Sequence, residues 1–379
     1  MKLSAEDALR INVLLASSIE AVRIDESSMT LYALSGKGEA RVKLNPNCRD
    51  DAYLRGVREV LSGHVLGSPG GYPVYLKRWT RMGQARDGIL ESLLLLGEPE
   101  AVVAVVNATG ITGEIARRAW WASQTAENAR CMLRQSAVAS SAMGPVLADF
   151  LVEFLPFEEE AADVIASIRL VLQSDLVSNE VRQQIWARGK HKNAYYVGFL
   201  QAVPDDLPEI VAPHPLWDET RRTLGILQQS GNPFAVQLCR VLSPAGQSFL
   251  RTVGTVLSKP ANQDVVVALL HAIARYFGTV RSSDDKHENM EEIIALTATQ
   301  ISCGQAGNDA LGEILSTVPG MEGLIHAMLV LSMVDEPVVN PVFSRTDAIG
   351  TVMRKKLKPV FGPIQQQLDM LGCRYKKYT

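Results

Sequence analysis

The sequence predicts a mainly α protein, with a helical-hairpin repeat body behind a small N-terminal α/β portion. Three observations lead there. β-prone runs gather at residues 21–44, and strand signals nearly vanish from about residue 84. From about residue 84 onward, apolar positions recur at helical spacing between short breaks such as GEPE, NATG and SGNPF. Finally, ITGEIARRAW (111–120) lines up with VSNEVRQQIW (177–186) at a displacement of 66 residues. Both segments start on Thr or Ser at an N-cap position, carry Glu two residues later and end on Trp. Upstream, Val102, Val105 and Val106 fall opposite Ile168, Val171 and Leu172. Half of that displacement is close to one helical-hairpin repeat of about 33–34 residues, as in degenerate HEAT or tetratricopeptide arrays. An open stack and a compact bundle are both compatible with this pattern.

The expected order is a small α/β domain over 1–83, a repeat body over 84–280 and a C-terminal helical region with a basic tail over 281–379. The first segment, SAEDALRINVLLASS, reads as a helix with Ser4 at its N-cap, Asp7 three residues on, and Leu9, Val13 and Leu14 at helical spacing. AVRID, MTLYALS and EARVKL read as strands, with SGKG turning between the last two. RDDAYLRGVREVLSG reads as an amphipathic helix that Gly63 closes. In GSPGGYPVYLKRWTR (67–81), Pro69-Gly70 suits the centre of a type II turn, and a phosphate loop would need a GxGxxG or Gly-Lys-Ser/Thr spacing that is missing. Helices continue through ETRRTLGILQQ, PFAVQLCRVL, GQSFLRTVGTVL, NQDVVVALLHAIARYF, NMEEIIALTATQIS and MEGLIHAMLVLSMV. The polar run 280–289 reads as a loop.

Composition limits the function classes. Of 379 residues, 47% are hydrophobic and 21% charged, which describes a globular chain. A formal net charge of −3 gives no global attraction to nucleic acid or anionic lipid. MKLSAEDALRIN does not resemble a signal peptide, and LIHAMLVLSMV is about half the length a bilayer span requires. Five scattered cysteines (Cys48, Cys131, Cys239, Cys303, Cys373) without a C-x-x-C fit a reducing compartment, so a cytoplasmic protein without membrane insertion is expected. Charge segregates late in the chain: residues 281–344 hold ten acids and two bases, whereas 345–379 hold eight bases and two acids.

No catalytic constellation stands out, so neither a cofactor nor an enzymatic activity is expected. The six histidines never fall at metal-ligand spacing, and His271 and His326 sit in apolar helices where core histidines are common. The acids of FEEE (157–160) point in different directions and suit the start of a helix better than paired acid/base work. Cys131 and Cys239 fall on amphipathic helices as core residues. Two patches are candidates for binding partners. Lys77, Arg78, Trp79 and Arg81 interleave an aromatic with bases; Arg117, Arg118, Trp120 and Trp121 place guanidinium groups on the same helical face as indoles, where they could stack. Cys373 lies beside Arg374, Lys376 and Lys377, cations that would favour a thiolate, and is the candidate reactive thiol.

Several longer strings carry a family resemblance. RVKLNPNCRDDAYLRGVREVLSGHVLGSPGGYPVYLKRWTRMGQ, LLLLGEPEAVVAVV, EIARRAWWA, MGPVLADFLVEFLPFEEE, KNAYYVGFLQAVPDDLPE and KPANQDVVVALLHAIARYF resemble the DsrS proteins, which are encoded with the dissimilatory sulfite reductase genes of sulfur-oxidising bacteria. The likeness spans residues 5–280 and includes no catalytic signature. It implies a soluble cytoplasmic accessory protein of sulfur oxidation and brings no functional residues with it. The expected function is therefore a non-catalytic accessory or regulatory protein that binds protein partners of that system through its repeat surface. A nucleic-acid-binding regulator and a cysteine-based sulfur carrier are the alternatives.

Overall fold

In a computed structural model, residues 3–66, 87–173, 176–281, 287–304, 309–345 and 349–373 are described. The chain is mainly α, with a small three-stranded sheet near the N-terminus, as the sequence predicts. It forms two compact units, Met1–Pro156 with Ser174–Val177, and Phe157–Gln173 with Ser178–Thr379. The segment 84–280 is thus shared between both. The boundary expected at 83/84 lies outside the described residues, and the one at 280/281 falls inside the second unit, one residue before a further stretch outside them.

The first unit opens with α1 (Ala5–Leu15). The Ser4 hydroxyl accepts from the Asp7 N–H at 3.2 Å, the expected cap. Asp7 does not reach back to complete a capping box. It turns inward and is fully buried, accepting from the Asn45 N–H at 2.8 Å and from the Tyr53 hydroxyl. This rotation makes Ile11, Leu14 and Leu15 the core stripe and leaves Leu9 and Val13 65% and 64% exposed. The periodicity of Leu9 and Val13 therefore marks the outer face of the helix, contrary to expectation.

Strands β1 (Ile19–Asp25), β2 (Thr30–Ser35) and β3 (Gly38–Lys43) form an antiparallel sheet in sequence order. The two-residue turn Gly36-Lys37 is completed by Gly38, whose φ of +118° only glycine adopts readily. One sheet face places Val22, Leu31 and Ala33 in a core with α1 and with Tyr53, Leu54, Val57 and Leu61 of α2 (Asp50–Leu66). Gly63 does not end α2, which continues to Leu66, because a glycine stops a helix only where it adopts the left-handed conformation itself, and Gly63 does not. The other face receives the helix Gly113–Ala122. Helices α3 (Asp87–Leu93), α4 (Pro99–Val106), α5 (Gly113–Ala122), α6 (Ala126–Leu133), α7 (Ser136–Ala139) and α8 (Met143–Phe154) complete the unit, with α5 on β1 and α6 on α8.

The second unit is helical in its described residues. It comprises α9 (Ala161–Val171), α10 (Asn179–Arg188), α11 (Ala194–Ala202), α12 (Trp217–Thr223), α13 (Gly225–Gln229), α14 (Pro233–Leu242), α15 (Pro244–Ser258), α16 (Gln263–Tyr276), α17 (Met290–Gly304), α18 (Ala310–Thr317), α19 (Glu322–Met333), α20 (Asn340–Phe343) and α21 (Gly350–Leu371). ETRRTLGILQQ is thus two short helices broken at Leu224. Helix α11 packs on α9, α15 and α16, and it meets α9 so closely that a Cβ on Gly198 would stand 2.6 Å from the Ile168 side chain. The unit closes on itself. Gln247 of α15 donates to the Leu371 carbonyl at 3.1 Å, while the Arg354 guanidinium reaches the Pro260 carbonyl at 3.5 Å, so α21 runs antiparallel to α15 and also packs on α19. Between an open stack and a closed bundle, this unit is the latter. Much of the expected basic tail is the helix α21, whose buried residues include Met353, Leu357, Ile364 and Leu368.

The two segments matched in sequence form matching local structures. Thr112 and Ser178 each accept from the N–H three residues on, Ile115 and Val181. Trp120 and Trp186 are each 8% exposed and each meets a phenylalanine edge-on, Phe150 at 4.8 Å and Phe199 at 5.0 Å between centroids.

Candidate functional site

Of the two expected patches, Lys77, Arg78, Trp79 and Arg81 lie outside the described residues. Arg117, Arg118, Trp120 and Trp121 are all on α5, but the helix sends them to three destinations. Trp120 points into the core against Phe150 and is structural. The arginines pair with carboxylates: Arg117 with Glu20 (2.6 Å) and Glu114 (2.7 Å), Arg118 with Glu114 (3.1 Å) and Glu91 (3.4 Å). Trp121 lies half-buried over the sheet and donates its indole N–H to Glu39 at 3.0 Å.

The expected stacking of a helix arginine on a neighbouring indole does not occur. The guanidinium over Trp121 belongs to Arg23 of β1, 5.1 Å from the ring centroid and 4.4 Å from that of Tyr32. Arg23 also donates to Glu39 at 3.1 Å. A residue on a strand reaches this indole more directly because β1 carries Arg23 on the face that α5 covers, while the carboxylate of Glu114, one helical turn back, captures Arg117 and Arg118 first. The result is a half-exposed array of guanidinium, aromatic and carboxylate groups drawn from three strands and two helices, with Arg23, Tyr32, Trp121 and Arg117 at its surface.

Electrostatics hold this array in place. Hydrogen bonds from Arg117, assisted by Arg118 and opposed by some desolvation, bring the Glu114 carboxyl down to about 2. The same pairing to Glu114, together with Glu20, raises Arg117 still further above neutrality. Preset partners spare these side chains ordering entropy on binding, and Trp, Tyr and Arg are the types that dominate interface energies. Arg23, Tyr32, Glu20 and Glu39 escape the helical-pattern reading; the signal that finds them is the strand alternation that aligns Arg23 with Tyr32 across the ladder.

In the second unit, Arg240 makes a bidentate pair with Asp205 (2.8 and 2.6 Å) while its guanidinium lies 3.9 Å above the Tyr276 ring, which stacks on Phe249 at 3.8 Å. Burial pushes the Tyr276 hydroxyl well above its ordinary range. This is a packed strut, and Tyr276 is buried beneath it. The cleft of about 380 Å³ beside it is lined by Arg182, Asp205 and Asp206, and both acids are already paired with arginines.

The thiols differ from expectation in one case. Cys131 and Cys239 are buried as expected, and burial raises the Cys239 thiol to about 11. Cys373 is half-buried, its N–H bound to Gln247 at 2.9 Å and its sulfur 3.8 Å from the Pro213 carbonyl. Burial raises its pKa, against the thiolate expected from Arg374, Lys376 and Lys377, which lie outside the described residues. His326 is half-buried and bonds Thr297 at 3.0 Å, while His271 is half-exposed and faces Asp335 at 2.9 Å. Among the described residues no cluster of three or more histidine, cysteine or carboxylate groups could hold a metal ion, and no helix is long and apolar enough to cross a membrane.

Comparison with protein families, with curated proteins and with solved structures returns no match.

Proposed function

We propose that this protein is a non-catalytic accessory or regulatory protein of cytoplasmic dissimilatory sulfur oxidation that acts by binding other proteins. The observation that carries the binding part is Trp121: a large indole kept out of the core, half-exposed, and fixed by Glu39 and Arg23 in a single orientation. An aromatic anchor ringed by paired charges has the composition of an interface hot spot, where a partner excludes water from bonds already formed. The sulfur-oxidation context rests on the sequence resemblance alone, and the docking surface is the α5–sheet array in place of a helical-repeat face.

The test is capture of partners by tagged full-length protein from its host grown on reduced sulfur, with and without nuclease. Co-purification of sulfite reductase or its sulfur-relay proteins, insensitive to nuclease and lost in Trp121→Ala, supports this reading. Partners that disappear with nuclease would replace it by a nucleic-acid-bound regulator.

A further inference from the structure

The outer edge of β3 and the flank of α1 form a second surface, which adjoins the Trp121 array at Glu39, whose side chain serves that array and whose main chain lies on this edge. The bond from Leu44 N–H to Met29 C=O (2.9 Å) sets the phase of the β2–β3 ladder. Leu31/Val42 and Ala33/Ala40 are then the hydrogen-bonded pairs, so the N–H and C=O groups of Glu39, Arg41 and Lys43 point away from β2. Among the described residues no strand pairs with that edge. Beside it runs a cleft of about 540 Å³ whose walls include Leu9, Val13 and Val42, with Arg10, Arg41 and Lys43 around them. Leu9 and Val13 are the large aliphatic side chains that α1 turns outward.

Charge selects the occupant. Across the ladder Arg41 faces Tyr32 and Lys43 faces Thr30, so neither cation has an acid opposite, and beyond Tyr32 the row continues to Arg23. Of the cleft's three cations only Arg10 has a carboxylate partner among the described residues, Glu6 together with Asp7. A strand added along β3 would place alternate side chains opposite Arg41 and Lys43, and the intervening ones on the α1 side, toward Leu9 and Val13. A second copy of this chain fits poorly, since antiparallel self-pairing centred on Arg41 sets that guanidinium against its own copy; basic edges commonly serve to prevent such pairing.

We propose that the β3 edge captures an extended segment of a partner protein in which acidic and apolar residues alternate, by strand addition to the sheet. Main-chain bonds to Glu39, Arg41 and Lys43 supply affinity, and the alternation supplies register and selectivity.

The probe is a blocked nine-residue peptide of alternating valine and glutamate carrying a fluorophore, titrated with the full-length chain at low salt and followed by anisotropy and by amide exchange. Binding is expected, with new protection at the Arg41 and Lys43 amides. Arg41→Glu, Leu9→Asn and Val13→Asn lie on exposed positions that keep the fold, and each should weaken binding at least about tenfold. Trp121→Ala should leave it unchanged, which separates this site from the one proposed above. No binding at millimolar peptide, or equal binding of a peptide N-methylated at its glutamates, overturns strand addition. So does equal binding of the valine–lysine peptide, or a dimer of the free chain that Arg41→Glu alters and peptide does not.

Discussion

The buried carboxylate of Asp7, in the first turn of α1, accepts a hydrogen bond from the Tyr53 hydroxyl of α2 across the first unit's core. The same carboxylate accepts the Asn45 N–H, so one side chain ties the first helix, the end of the sheet and the second helix together. Replacing Asp7 by Ala removes the acceptor of the Asn45 N–H and leaves the Tyr53 hydroxyl only the Ser4 Oγ at 3.2 Å, which should cost about 1–3 kcal/mol. Chemical denaturation of the full chain measures this, and a loss under about 1 kcal/mol would mean that the three elements do not depend on the contact.

Acid should weaken the first unit. Burial alone would raise Asp7, but hydrogen bonds from Tyr53, Asn45 and Ser4, aided by the Arg10 charge, bring it below its usual range. Asp25 is lowered to about 2 by the hydroxyls of Ser28 and Ser27, and Glu114 to about 2 by Arg117. Each group is more acidic folded than unfolded, so its stabilisation is present above the ordinary carboxylate pKa and is lost as pH falls through the folded value. The loss should run between pH 4.5 and about 2. Glu114→Gln should flatten its lower part; a profile identical to that of the unaltered chain would show that the Arg117 pairing does not persist in solution.

Neighbouring tryptophans should separate stability from binding. Trp120→Ala removes a buried ring packed on Phe150 and should cost about 3–5 kcal/mol. Trp121→Ala removes a half-buried ring, one hydrogen bond and one cation–π contact, a loss of about 1–2 kcal/mol that leaves the chain folded. Thermal unfolding of the two variants side by side measures the difference, and equal losses would place Trp121 in the core.

Thiol modification should report the second unit's closure. Cys303 is exposed and should react first, whereas Cys131 and Cys239 should react only on unfolding. Gln247 is 2% exposed and bonds Val241, Leu371 and the Cys373 N–H. Gln247→Ala should release the chain end and speed labelling of Cys373 severalfold while Cys239 stays protected. Unchanged Cys373 labelling would show that other contacts hold the α21 end.

Gly246 tests the same region by crowding. It lies in the first turn of α15, where an added Cβ would stand 2.3 Å from the carbonyl oxygens of Arg240 and Val241. Backbone cannot step aside as a side-chain tip can, so Gly246→Ala should cost more than about 2 kcal/mol in urea unfolding despite the better helix propensity of alanine. A neutral result would mean that the α14–α15 turn relaxes freely.

Local structure was legible in the sequence wherever a short-range rule applied. The caps at Ser4, Thr112 and Ser178, the Gly36-Lys37 hairpin and the helices α14 to α17 and α19 all follow from spacing and residue type over a few positions. Cys131 and Cys239 were legible as core residues by the same logic, since apolar groups at helical spacing bury together, whereas Trp120, expected with Trp121 in a partner-binding patch, is buried. That logic failed at Leu9 and Val13. Helical periodicity states that a face exists; Asp7, drawn inward by Tyr53 and Asn45 from tens of residues away, decided which face turned to the core. It failed again at Arg117, whose partners within one turn include Glu114 as well as the indoles, and a charged pair at close range outcompetes stacking. Gly63 likewise could stop a helix or pass through one, and only its own backbone conformation settles that. By itself the sequence determined a mainly α chain with an N-terminal sheet, because hydrogen-bonding pattern and propensity act locally. The tertiary structure alone decided that Arg23 meets Trp121, that α21 closes on α15, and that Arg41 and Lys43 share with Leu9 and Val13 an edge that no strand pairs among the described residues. Each of these joins residues whose separation along the chain carries no periodic signal.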